Sequence, residues 1–202
     1  MKNTDYNLFP TLVRKIEDFI SDKEIKSIID NSKKMKFSQH GAIQGDSTSS
    51  HALGLATKNS SHQLITNTKV RDRLDSAIDE YRKEYGMVKL EVDNAWVNIQ
   101  GLGSQLKFHT HPDSIVSGAI YLNVDEQSSA LYFYNPNPYS EYLGYFYKPE
   151  TLNYLNFKTI YLKPKNGDLI LFPSWFRHGS EDINQTKERI VMSFNAGYKM
   201  NL

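Results

Sequence analysis

The sequence predicts an α+β chain whose helices come first and whose core is a β-sandwich or jelly roll. Three observations carry this. Two stretches within the first 87 residues repeat apolar side chains at helical spacing. After Gly86 the repeat changes to alternation. The alternating segments are short and are divided by turn-forming clusters such as "NPNP", "KPKNGD" and "NQTKE". Helices gathered at one end, then a run of short strands, mark a sheet core with helices set to its outside.

The elements follow in order. The chain enters with "LFPTLVRKIEDFIS", a short extended stretch. A helix is predicted over 21–36: Ser21 and Glu24 stand in the S-x-x-E spacing of a capping box, and Ile25, Ile28, Ile29 and Met35 share a face. Residues 38–63 are rich in Ser, Gly, Asn and His and read as loop with short strands. A second helix is predicted over 68–85, with Val70, Leu74, Ala77, Ile78, Tyr81 and Tyr85 as its buried stripe and Gly86 as its stop. Strands are predicted over 88–100, 104–110, 116–124, 129–134, 157–163, 168–173 and 188–197. The expected organisation is a single domain over 1–202, with a helical part at 1–87 and a sheet core at 88–198.

Residues 135–157 break the strand rhythm with two prolines near their start, five tyrosines and two phenylalanines. Long loops in compact domains are more often functional than idle, and rings with polar tips suit a wet contact. The loop is therefore expected over the mouth of a site. The other reading makes it a dimer contact and the protein a homodimer.

Composition narrows the function. The chain of 202 residues can bury one sizeable core. Its 24 basic and 23 acidic residues nearly cancel, which gives no support for a nucleic-acid or membrane-surface partner. There is no cysteine, so any metal must be held by nitrogen and oxygen. The start "MKNTDYNLFP" lacks the apolar run of a secretory signal, and no stretch is apolar enough to span a bilayer. A cytoplasmic location is the expectation.

Candidate ligands lie in two places. In "KFHTHPDSIVSGAIYLN", His109, His111 and Asp113 recur at i, i+2 and i+4, the spacing that puts side chains on one face of a strand. The other candidate is His178 in "LFPSWFRHGS", just past an apolar strand. Imidazoles with or without a carboxylate suit Fe(II), Zn(II) or Ni(II), and two histidines with one carboxylate are typical of non-haem Fe(II) oxygenases. His40, His51 and His62 read as ordinary surface residues. Arg189 opens the strand "RIVMSFN", where alternation sets Arg189, Val191, Ser193 and Asn195 on one face and Ile190, Met192 and Phe194 on the other. An inward arginine needs a partner, and a ligand carboxylate is an economical one. The competing reading pairs it with Glu188 or Asp182 at a strand edge.

These blocks together resemble the Fe(II)/2-oxoglutarate-dependent oxygenases of double-stranded β-helix fold, and in particular a bacterial and phage group of them. The matching residues are Trp96-Val97-Asn98, His109-Thr110-His111-Pro112, Ser117-Gly118 through Tyr121, Phe172-Pro173-Ser174-Trp175 through His178, and Glu188-Arg189 through Ser193-Phe194-Asn195. There is a more distant similarity to prolyl hydroxylases, in which a glycine precedes the H-x-D motif by six residues, as Gly103 precedes His109. The resemblance implies a jelly-roll dioxygenase that uses Fe(II), 2-oxoglutarate and O2, most commonly to hydroxylate. His109 and His178 would be iron ligands, and the usual aspartate position falls on His111. Arg189 would take the distal carboxylate of 2-oxoglutarate, Asn98 and Tyr121 would hydrogen-bond it, and Trp175 would pack the site wall. Asp113 stays open as an alternative third ligand. Three neutral imidazoles around Fe(II) and dianionic 2-oxoglutarate give a neutral centre, so charge does not forbid the histidine set. Two rivals remain: a three-histidine cupin-like dioxygenase without 2-oxoglutarate, and a non-catalytic metal-binding jelly roll. The substrate is not readable.

Overall fold

A computed structural model of the chain describes residues 2–6, 8–51, 60–138 and 149–198. Its elements in order are β1 (Arg14–Ile16), α1 (Asp22–Ser32), β2 (Ile43–Gln44), β3 (Ser47–Ser49), α2 (Ser60–Leu64), α3 (Thr68–Glu84), β4 (Leu90–Gln100), β5 (Gln105–Leu106), β6 (Val116–Asn123), β7 (Leu131–Tyr134), β8 (Thr159–Leu162), β9 (Leu169–Pro173), β10 (His178–Gly179) and β11 (Arg189–Tyr198). The larger sheet has strand order β1-β9-β6-β11-β4-β3; smaller ones are β10-β7-β8 and β2-β5. Every named pair is antiparallel. The small sheets join into one layer through backbone bonds from Ser180 to Leu106 (2.8 Å) and between His109 and His178. This is the two-layered jelly roll with helices outside.

Alternation sorts the two cores. On β11, Ile190, Met192, Phe194 and Ala196 join Val116, Ile120 and Leu122 of β6 in a cluster shared with the helical residues Ile25, Ile28, Val70, Leu74, Ile78 and Tyr81. The opposite faces contribute Val191, Ala119 and Tyr121 to a second cluster between the layers, with Leu131, Phe133, Ile170 and Phe172. The predicted face assignment of β11 therefore holds. Gly118 has a packing reason: a Cβ there would lie 2.3 Å from the Phe194 ring. Gly118→Ala is expected to cost about 1–3 kcal/mol by overpacking, read as a lower urea midpoint with unchanged slope.

Both predicted helices form, with differences at their ends. Glu24 accepts the Ser21 N–H at 2.9 Å, the capping-box bond that starts α1. The helix stops at Ser32, four residues before the predicted end; the Ser32 hydroxyl donates to the Ile29 carbonyl at 2.7 Å and the chain turns. On α3, Asn67 caps the first turn by accepting from Lys69 N–H. Tyr85 leaves the predicted buried stripe: it is 36 % exposed and its hydroxyl accepts from Leu12 N–H. Two elements are absent from the sequence reading. The α2 turn "SSHQL" has no periodic signal; it is held by tertiary bonds, Asn31 Nδ2 donating to the Leu64 carbonyl and Ala95 N–H to Ser60 Oγ. β10 is only two residues long, paired to β7. The predicted strand 104–110 shrinks to Gln105–Leu106 plus a single bridge at His109. Of the loop 135–157, residues 139–148 lie outside the described residues, and so does the reading placed on them. Among the described residues, no helix is long and apolar enough to cross a membrane.

Candidate active site

His109, His111 and His178 are brought together by backbone pairing across the layer. His109 N–H donates to the His178 carbonyl at 2.9 Å, and His178 N–H returns the bond at 3.0 Å. His111 N–H reaches the Ser174 carbonyl at 2.9 Å. One ring nitrogen from each of the three lies within 4.8 Å of the others, and His111 Nε2 stands 3.4 Å from His178 Nε2. His109 Nδ1 contacts the Lys107 carbonyl and His178 Nδ1 the Phe176 carbonyl, both at 2.9 Å. A carbonyl only accepts, so each Nδ1 carries the proton and each Nε2 keeps its lone pair. Burial and mutual repulsion push His111 down to about 4, and burial likewise lowers His109 and, much further, His178. All three are neutral near pH 7, the form that binds metal.

The Asp113 carboxylate is not part of this group. Asp113 is exposed in a turn that the backbone closes, Ser114 N–H donating to the His111 carbonyl at 3.3 Å. Pro112 supplies no backbone donor to continue a ladder.

At the other end of the cavity lies Arg189, 6 % exposed. It donates to Gln100 Oε1 and lies 5.6 Å over the Tyr121 ring. Among the described residues no carboxylate lies within salt-bridge distance of it, and Asp182, one of the two partners expected from the sequence, acts on it only from farther away. Its Nε has no partner, and neither do Asn98 Oδ1 and Gln100 Nε2. A buried cation with an unpartnered Nε and no carboxylate in direct contact fits a dicarboxylate end. Burial pushes the Tyr121 hydroxyl up to about 12, so it is a protonated donor. Arg189, Tyr121, Asn98 and the three histidines line one cavity.

The sequence reading missed Gln100, which continues the Trp96, Asn98 alternation on β4 and could have been found from it. It also set His40 and His51 at the surface. Both are instead partly buried, stacked edge-on at 5.3 Å, with His51 against Trp96 at 4.8 Å. Burial, then nearby histidines, lowers His40 to about 4. His62 is exposed, as expected, and touches Arg71. Trp175 does not pack the wall: it is 55 % exposed, and Phe172 takes that place, 4.5 Å from the His178 ring.

Residues 94–195, half of the chain, match the family model described as "Putative 2OG-Fe(II) oxygenase". The chain belongs to this family. The protein is thus a 2-oxoglutarate- and Fe(II)-dependent oxygenase, an oxidoreductase whose cofactor is iron and whose co-substrate is 2-oxoglutarate. No curated protein matches it. Three solved structures show the same fold at low identity. HygX from Streptomyces hygroscopicus, with nickel and 2-oxoglutarate bound, is 12 % identical with a TM-score of 0.61, covering 94 % of this chain and 84 % of that one. A 2OG-Fe(II) family oxidoreductase from Burkholderia pseudomallei is 13 % identical with a TM-score of 0.65, covering 92 % and 85 %. A prolyl-4-hydroxylase from Pseudomonas putida is 13 % identical with a TM-score of 0.56, covering 93 % and 94 %.

Proposed function

We propose that His109, His111 and His178 hold the iron of this oxygenase, that Arg189 binds the distal carboxylate of 2-oxoglutarate, and that Asn98 and Tyr121 orient the co-substrate between them. The observation that carries this is the meeting of three neutral imidazoles, two of them with Nε2 left free by their Nδ1 bonds, in one cavity with a buried arginine that has no salt-bridge partner among the described residues. Arg189 disfavours the cupin-like rival, which has no need of it. Hydroxylation of a small molecule or side chain is the outcome we assign. When bound, iron would let O2 act as the oxidant, two of its four electrons coming from 2-oxoglutarate as that goes to succinate and CO2 and the other two from the substrate.

The chain's own part is positioning. The carbonyls of Lys107 and Phe176 fix two imidazole tautomers and ring orientations. Gln100 holds the Arg189 guanidinium. Phe172 and Phe133 cover His178, which is 4 % exposed, and keep water from that side. We read residues 1–202 as one domain, since the helices of 1–87 share their core with the sheet of 88–198.

Anaerobic addition of Fe(II) and then 2-oxoglutarate is expected to produce a weak visible metal-to-ligand absorption. Iron that binds without this band on 2-oxoglutarate addition would favour the cupin-like rival.

A further inference from the structure

Four histidines line the metal cavity, and only three of them belong to the metal-binding group. The fourth, His40, holds its proton on the other nitrogen. Ala42 N–H donates to His40 Nδ1 at 3.1 Å. That nitrogen is the acceptor, so in the neutral ring the proton sits on Nε2. Burial keeps the ring neutral near pH 7. His109 and His178 are the reverse: their Nδ1–H groups are spent on carbonyls and their Nε2 atoms keep lone pairs. A ring with its proton on Nε2 offers the cavity a hydrogen-bond donor rather than a metal ligand.

A second donor stands beside it. Trp96 is 4 % exposed, lines the same cavity and has no partner for its Nε1–H. Its ring lies 6.0 Å from the His111 ring, next to the metal-binding group. His51 packs edge-on against both His40, at 5.3 Å, and Trp96, at 4.8 Å, so the two donors share one wall. A buried indole N–H ordinarily has an acceptor. The co-substrate has its own partners, with Arg189 and Tyr121 at one end and the metal at the other. The donor pair is left for the molecule that is oxidised. Among the described residues no carboxylate lines this cavity. Three neutral imidazoles leave Fe(II) and dianionic 2-oxoglutarate without net charge, where a carboxylate ligand would leave a negative one. A charged oxygen is therefore not repelled here.

We propose that His40 Nε2–H and Trp96 Nε1–H bind the primary substrate, donating to a carbonyl or carboxylate oxygen and holding the molecule beside the metal. The inference rests on the iron and co-substrate reading above. The pair sets specificity, because a molecule that presents only N–H groups at this point leaves both donors unpaired.

The test uses the full chain loaded anaerobically with Fe(II) and saturating 2-oxoglutarate, and three probes of matched size: propanoate, propanamide and propylammonium. Each is titrated against the visible absorption of the loaded protein. Propanoate and propanamide are expected to shift the band, and propylammonium to leave it unmoved. The tighter of the two oxygen probes names the group that the substrate carries. His40→Asn keeps an acceptor for Ala42 N–H and loses the Nε2 donor, so it should weaken the oxygen probes by about five-fold. His40→Gln, whose amide nitrogen stands near the Nε2 position, should restore most of that. Trp96→Phe, which keeps a ring and loses the N–H, should also weaken them by about five-fold. Iron content and 2-oxoglutarate affinity should match wild type in all three variants, which also shows that they fold. Nitrogen-15 NMR of the metal-free protein, with His40 assigned by its loss in His40→Asn, should show a protonated Nε2. Equal shifts from all three probes, no shift from any, loss of the band as a probe displaces 2-oxoglutarate, or a protonated Nδ1 on His40 would overturn the proposal. So would weaker 2-oxoglutarate binding in His40→Asn or Trp96→Phe, which would give the donors to the co-substrate. If the band never forms before a probe is added, the iron and co-substrate reading has failed, and this inference with it.

Discussion

His178→Ala is expected to abolish iron binding and with it the conversion of 2-oxoglutarate to succinate. His178 is the most enclosed of the three histidines, at 4 % exposure, and its Nδ1–H is committed to the Phe176 carbonyl. Removing an outer partner of a metal ligand typically costs 10–100-fold, so losing the ligand itself should cost more than about 100-fold. His109→Ala and His111→Ala should do the same. Asp113→Ala should stay close to wild type, because the carboxylate sits in an exposed turn away from the three nitrogens. The measurement is bound iron after desalting, together with succinate formed. Retention of iron by His111→Ala with its loss in Asp113→Ala would show a two-histidine, one-carboxylate site and overturn the three-histidine assignment.

Arg189→Ala should weaken 2-oxoglutarate by roughly 30-fold or more while iron binding persists. A lost charge-assisted pair at a buried site costs about 2–5 kcal/mol, much of it from the partner left unpaired. The guanidinium is buried against Gln100 and Tyr121, and desolvation lowers its pKa. Without a ligand it is a buried cation with no carboxylate in direct contact, so the free protein should keep a cooperative melting transition when it is removed. That sets loss of affinity apart from loss of fold. Arg189→Lys should restore part of the affinity, since a point charge replaces the fork but not its two parallel bonds. Unchanged affinity in Arg189→Ala would put the dicarboxylate elsewhere and reopen the cupin-like reading.

The histidine spacing shows what a sequence can and cannot convey. His109-x-His111 reads as two residues on one strand face, and the side chains do converge. Yet no regular strand holds them: one backbone bridge ties His109 to His178, and His111 is tied to Ser174. The pattern was right because extended backbone alternates whether or not it is laddered. His40 shows the opposite case. Nothing near it in "FSQHGAIQ" marks it as buried; it is half-buried because β2 and β5 pair and bring the segment onto the metal cavity.

By itself the sequence determined the helix stripes apart from Tyr85, the face assignment of β11 and the inward arginine, and it marked His109, His111 and His178 as candidates. Each of these rests on local periodicity or on a residue type whose burial is costly, and both are properties of the chain alone. The tertiary structure alone decided that Gln100, not an acidic residue, meets Arg189, and that Phe172 rather than Trp175 covers His178. It also decided that Trp96, Asn98 and Gln100 present unpartnered atoms along one wall. Those facts depend on which strands become neighbours, and strand neighbours here are far apart in sequence: β4 pairs with β11 across about ninety residues, as Gln100 with Arg189. Contacts of that range leave no periodic trace, because either partner's local pattern is satisfied by any neighbour of suitable polarity and size.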